Sequence, residues 1–260
     1  MPLIQIKNLH KRFGPLVVLD GVTLDAEAGE CLVVIGASGT GKSVLLKHIV
    51  GLLRPDRGEV WFDGKRIDNL FERDFMLVRA RIGFLFQQSA LFDSINVADN
   101  VAFPLVEHTD KSPQQIRELA EHMLIMVGLP GIGDKMPGEL SGGMRKRVAL
   151  ARAIALSPEV ILYDEPTTGL DPVRADVINQ LILKLQRELH ATSIVVTHDM
   201  HSAFKVADRI VMLHEGKIVF NGPPTKILED HNPVVRRFVM GEASEMELAT
   251  LHGSPDNSRS

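Results

Sequence analysis

Short unbroken apolar runs alternate along this chain with longer stretches in which apolar residues recur every three or four positions. Cys31–Ile35 is a strand-length run with no polar face, the pattern of a strand covered on both sides, residues 160–163 form a second apolar strand, and residues 193–197 read as a further strand. Between them, Val44, Leu45, Leu46, Ile49 and Val50 fall at helical spacing, as do Ile178, Leu181, Ile182, Leu185 and Leu189 after Pro172. Strands alternating with helices predict an α/β fold with a largely parallel sheet. Pro55-Asp56-Arg57-Gly58 reads as a turn leading into a strand over residues 59–62. Residues 209–213 and 217–220 flank Glu215-Gly216 as a hairpin.

The pattern changes between Val97 and Gly128. Ala98, Val101 and Leu105 lie at helical spacing, and Ser112-Pro113-Gln114-Gln115 opens a second helix with proline in its first turn. Ile116, Leu119, Ala120, Met123, Leu124 and Val127 form the buried stripe of that helix, so this stretch predicts a helical insertion in the α/β core. From Gly241 to Ser260 the chain turns polar, and a mobile tail is expected there.

Composition changes this picture little. A chain of 260 residues buries roughly 70–75% of its unfolded surface, enough for a self-sufficient core. With a net charge of −4 there is no general attraction to nucleic acid, and no nucleic-acid partner is expected. The single cysteine, Cys31, excludes an internal disulfide and reads as a buried, inert thiol. No apolar run approaches the ~20 residues that span a bilayer, and the N-terminus lacks a signal-peptide layout. The expectation is a cytoplasmic protein, whose membrane part, if it serves a transporter, is another polypeptide.

Gly36-Ala37-Ser38-Gly39-Thr40-Gly41-Lys42-Ser43 is a complete phosphate loop, following a strand and opening a helix. Its glycines let consecutive backbone N–H groups turn onto phosphate oxygens at a helix N-terminus. Lys42 supplies a charge to the β- and γ-phosphates, and the Ser43 hydroxyl is a ligand for Mg²⁺. The spacing of Gly36, Gly39 and Gly41 excludes a dinucleotide fingerprint. Asp164 and Glu165 end an apolar strand, where ligands of α/β folds bind. Asp164 is placed to hold Mg²⁺, directly or through water, and Glu165 to orient or deprotonate an attacking water. No Asn-Lys-x-Asp base-reading element is present, which excludes small GTPases. His201 has no cysteine or third ligand beside it, so a zinc site is not expected.

Joined to Leu140-Ser141-Gly142-Gly143-Met144 and Gly169-Leu170-Asp171-Pro172, these motifs resemble the ATP-binding subunits of ABC transporters, from about Leu3 to Gly241. The resemblance implies one ABC ATPase domain over residues 1–241, built on a phosphate-loop core. A helical subdomain at about 88–157 is inserted in it, and an antiparallel β portion lies at the N-terminus and edge. It implies that Gln87, rather than its neighbour Gln88, is the Q-loop glutamine that reaches Mg²⁺ and the attacking water. His198 matches the switch histidine that senses the γ-phosphate, and Phe13 takes the place of the adenine-stacking aromatic, usually tyrosine. Ser141, Gly142, Gly143 and Asp171 are implied to act in trans, each signature closing over the partner's ATP in a head-to-tail homodimer that drives a membrane permease.

Residues 86–94 and 100–105, with Glu107-His108, the Met144-Arg145-Lys146-Arg147 signature and the ending Phe238-Val239-Met240-Gly241, look like the ATPases of the Mla phospholipid-trafficking systems. Importers of amino acids or other small solutes share the core motifs, but their signature more often ends in glutamine where this chain has Met144. Non-transport ABC ATPases usually carry a second cassette or basic insertions, and neither appears here. Leu91, Phe92, Ile95 and Phe103 are the apolar residues expected to face the permease.

Overall fold

The computed structural model describes residues 2–243 of the chain. The expected tail therefore lies, beyond its first residues, outside the described residues. The N-terminal half opens with β1 (Ile4–Phe13), β2 (Leu16–Ala26) and β3 (Cys31–Ile35), then α1 (Lys42–Ile49), β4 (Arg57–Phe62) and β5 (Lys65–Arg66). Next come α2 (Glu72–Arg79), β6 (Ile82–Leu85), α3 (Val97–His108), α4 (Pro113–Met126) and α5 (Gly142–Ile154). The remainder is β7 (Val160–Asp164), α6 (Pro172–Leu189), β8 (Thr192–Thr197), α7 (Met200–Val206), β9 (Arg209–His214), β10 (Lys217–Gly222), α8 (Pro224–Ile227) and α9 (Pro233–Met240).

Two sheets form. One has the order β10-β9-β3-β8-β7-β6, parallel except for β10, which pairs antiparallel with β9 as the expected hairpin. The other is antiparallel, β2-β1-β4-β5. Alternation along the parallel strands divides the core in two. Cys31, Val33, Ile35, Ile161, Tyr163, Val195, Ile210 and Met212 face the side covered by α3 to α7. Leu32, Val34, Val160, Leu162, Ile194, Val196, Val211 and Leu213 face α1 and the antiparallel sheet. Because both faces are covered, the strands contain no polar alternation.

The helical insertion folds as its pattern predicts. Ser112 Oγ accepts from Gln115 N at 3.3 Å, and Ser112 N donates to Gln115 Oε1 at 2.9 Å, a reciprocal cap with Pro113 in the first turn of α4. One expectation is corrected. The turn predicted over residues 55–58 ends at Asp56, and Arg57 and Gly58 already belong to β4. The register of β1 against β4 shifts between Lys7 and His10, and a Cβ on Gly58 would sit 2.3 Å from Asn8 O. Gly58 (φ +93°) is there to let two backbones pass at a bulge, so it extends the strand rather than ending the turn.

Candidate functional site

The C-terminal ends of β3, β7 and β8 bring three loops together. After β3, the phosphate loop wraps toward α1, whose N-cap is Gly41. A Cβ on Gly36 would lie 2.3 Å from Leu213 O, so this loop can begin against β9 only with glycine. Lys42 Nζ donates to the carbonyls of Gly36 (2.8 Å) and Ala37 (2.9 Å), which holds the ammonium along the loop. Its pKa is lowered by burial, against the opposing pull of Glu165 and Asp164.

Asp164 ends β7. Ser43 Oγ donates to Asp164 Oδ1 at 2.7 Å, joining residues 121 positions apart. Burial pushes the Asp164 carboxyl up, the Ser43 hydrogen bond opposes this, and the charge of Glu165 adds to it. A hydroxyl and an under-compensated carboxylate side by side are a hard-oxygen pair suited to Mg²⁺. Among the described residues, there is no group of three or more His, Cys, Asp or Glu that could hold a metal ion.

Glu165 sits at φ +50°, a left-handed conformation that costs a non-glycine residue about 1–3 kcal/mol. Its backbone is fixed on both sides: Glu165 N donates to Val196 O at 2.9 Å, and Lys146 Nζ donates to Glu165 O at 3.2 Å. The carboxylate meets Lys42 Nζ at 3.7 Å, His198 Nδ1 at 2.9 Å and the Thr168 hydroxyl at 3.1 Å. His198 thus follows β8 directly into contact with Glu165 and remains about half exposed, free to meet a ligand from the other side.

A cavity of about 340 Å³ is lined by Phe13, Ser38, Gly39, Lys42, Ser43, Gln87 and Glu165, among others. Phe13 is 45% exposed, which excludes core filling and leaves its ring face available, with Lys11 Nζ 5.6 Å above the ring. Gln87 lines this cavity and Gln88 does not. Ser141, Gly142, Gly143 and Asp171 do not line it; neither do Asp164 and His198, but these are bonded to the lining residues Ser43 and Glu165. Ser141 caps α5, its Oγ accepting from Met144 N at 3.3 Å, so Gly142 and Gly143 form the first turn of a helix that starts at an exposed serine. Asp171 caps α6 through Arg174 N at 3.0 Å.

A separate groove of about 350 Å³ is lined from both sides of Gln87, by Phe84 and Phe86 before it and by Phe92, Phe103 and His108 after it, among others. The Phe92 and Phe103 rings pack 4.8 Å apart and are 43% and 42% exposed. Buried Asn100 shapes this segment, donating to the carbonyls of Phe92 (3.0 Å) and Ile95 (3.1 Å) and accepting from Phe92 N (2.8 Å). Leu91 and Ile95, expected at this surface, are half-buried, Leu91 packing against the helical core, and neither lines the groove.

Sequence reasoning did not single out Lys146, Arg152 or Thr168. Lys146 left a signal: it stands four and eight positions before the buried Leu150 and Ile154, a lysine on an apolar helical column.

Residues 19–168 match the ABC transporter family. This chain belongs to that family. It is an ATP-binding and ATP-hydrolysing subunit of a transporter. It is 47% identical to the probable ribonucleotide transport ATP-binding protein mkl of Mycobacterium leprae over 92% of this chain and 69% of that protein. Against the Mycobacterium tuberculosis proteins of the same description the chain spans 66% of their length. It is 44% identical to the intermembrane phospholipid transport system ATP-binding protein MlaF of Haemophilus influenzae, over 93% of this chain and 91% of that protein. The ATP-binding cassette MJ0796, solved as a dimer in a post-hydrolysis state with ADP and Pi, superposes with a TM-score of 0.79 at 34% identity, covering 85% of this chain and 98% of that one. Among the described residues, no helix is long and apolar enough to cross a membrane.

Proposed function

We propose that this chain is the ATPase of a phospholipid-trafficking transporter, acting as a head-to-tail homodimer on the inner face of the membrane through an integral-membrane permease. The observation that carries the ATPase chemistry is the joined set Ser43–Asp164 and Lys42–Glu165–His198, of which Lys42, Ser43 and Glu165 line one cavity. Phe13 stacks on adenine, and the backbone N–H groups of residues 36–43 with Lys42 take the phosphates. Ser43, Asp164 and Gln87 would hold Mg²⁺, which would supply charge neutralisation to the phosphates. Glu165 orients and deprotonates the attacking water, and His198, held by Glu165 through Nδ1, presents its other edge to the γ-phosphate. Ser141, Gly142 and Gly143, with Asp171, serve the ATP of the partner protomer. That they do not line the cavity of their own chain supports this reading, as does the paired state of the solved cassette.

The groove around Phe92 and Phe103 receives a short helix of the permease. It adjoins Gln87 in sequence, so closure around ATP is transmitted to the membrane partner. The lipid assignment rests on similarity to a phospholipid transport ATPase across 91% of that protein's length, together with the residue 86–108 pattern. The mycobacterial relatives are named for ribonucleotide transport, which gives a second reading. Purification of the chain with its membrane partner, followed by mass spectrometry of bound small molecules, decides between them. Phospholipid is the expected cargo; a complex free of lipid that carries ribonucleotide, amino acid or metal ion on a binding protein overturns the lipid reading and leaves the ATPase intact.

A further inference from the structure

Lys146 is 5% exposed, yet neither of its hydrogen bonds goes to a carboxylate. The ammonium donates to Gln87 O at 3.1 Å and to Glu165 O at 3.2 Å, so one buried cation touches the backbones of the two residues that face an attacking water from different loops. One loop is strained at the residue Lys146 holds, the other two and three residues beyond it. Glu165 has φ +50°, and the segment after Gln87 has Ser89 and Ala90 at φ +65° and +49°. A second cation from the same helix completes the grip. Arg152 donates to Ser89 O (3.1 Å) and Ala90 O (2.8 Å) and lies 5.6 Å over the Phe92 ring at the groove. Left-handed carbonyls in an irregular loop have no ladder partner, and charged donors are the strong way to fix them.

The geometry points to Lys146 as a positioning residue. Together with Arg152 it fastens the signature helix α5 to the Gln87 loop, and through its two carbonyl bonds it ties the backbone of Gln87 to that of Glu165. α5 begins at Ser141, the residue assigned to the partner's nucleotide. Engagement of its N-terminus is thereby carried through a rigid helix to the base, the water-facing amide and the groove of the same chain. This inference rests on the ATPase reading above and adds a cross-link that turns docking of the partner into alignment of the catalytic residues. The cation suits the task because a buried ammonium loses much by leaving its carbonyls, so the two loops move with α5 or not at all.

The test is steady-state ATP hydrolysis by the full chain, with affinity for a fluorescent ATP analogue measured in parallel. Lys146→Met keeps length and apolar bulk and removes the donor. Its kcat is expected to fall about ten- to a hundredfold, the size of effect produced by sub-ångström to ångström misplacement, while nucleotide Kd moves less than about threefold. Lys146→Gln restores amide donors and is expected to recover most of the lost kcat. Arg152→Met cuts the other tie and is expected to lower kcat about three- to tenfold at unchanged Kd, which keeps the inference testable should Lys146→Met not fold. Wild-type kcat in a folded Lys146→Met or in Arg152→Met, equal losses in kcat and nucleotide affinity, or a Lys146→Gln variant no better than Lys146→Met would each overturn it. A wild-type chain that hydrolyses no ATP would instead contradict the ATPase reading itself.

Discussion

Glu165 is constrained at both its backbone and its carboxylate, and its contacts separate two jobs. Lys42 and His198 approach different carboxylate oxygens, at 3.7 Å from Oε1 and 2.9 Å from Oε2, so an amide at this position keeps the shape of the site and loses the base. Glu165→Gln is therefore expected to bind ATP as the wild type does and to hydrolyse it about 10²–10⁴ times more slowly. Lys42→Ala is expected to fail earlier, with weakened nucleotide binding in a fluorescent-nucleotide titration. A Glu165→Gln variant within tenfold of wild-type turnover would place the base elsewhere. Asp164 and Glu165 were legible in the sequence because they end an apolar strand, Lys42 and Ser43 because they close a complete phosphate loop that follows one, and His198 through the family resemblance at the end of another. The contacts of Lys146 and Arg152 were not, because their carbonyl partners in the Gln87 loop lie 59 to 63 residues away and a backbone carbonyl carries no side-chain signature.

At the scale of elements, strands with two covered faces announced themselves as continuous apolar runs, and α4 announced itself through its cap. What the pattern did not give was pairing across distance. The start of β4 depends on a bulge in β1, and the half-burial of Leu91 depends on packing against the helical core. The groove prediction changes accordingly. Phe92→Glu and Phe103→Glu place a charge on the exposed ring pair and are expected to abolish recovery of the permease from detergent-solubilised membranes while nucleotide affinity stays within about twofold. Retained recovery would move the docking site. Leu91→Glu is expected to lower stability instead, by about 1–3 kcal/mol in urea unfolding, because it forces a charge against apolar neighbours. A second element-scale tie joins β9 to the start of β3: Arg209 Nε meets Glu30 Oε1 at 2.6 Å. Burial raises the Glu30 pKa, but the Arg209 hydrogen bonds, the hydrogen bond from Glu27 N and the Arg209 charge together outweigh it and leave the carboxyl below its usual range. With the folded-state pKa depressed, this contribution is present at neutral pH and disappears as pH falls through the usual glutamate range and then the lower folded value. Arg209→Met should accordingly be destabilised at about pH 7, with the gap to wild type closing toward about pH 3 in urea titrations.

The described residues present the cavity proposed for the nucleotide at one set of strand ends and, not lining it, a helix N-terminus built from Ser141, Gly142 and Gly143. A signature that misses its own nucleotide cavity accounts for the presence of two phosphate-suited elements in one chain only if a second copy supplies the other nucleotide. The most direct measurement is light scattering after size exclusion, using Glu165→Gln to prevent turnover, with and without saturating Mg-ATP. The account predicts a monomer without nucleotide, a dimer with ATP, and a return to monomer at unchanged nucleotide affinity when Ser141→Arg is added. A protein that remains monomeric with ATP bound, or a dimer indifferent to Ser141→Arg, would contradict the head-to-tail arrangement.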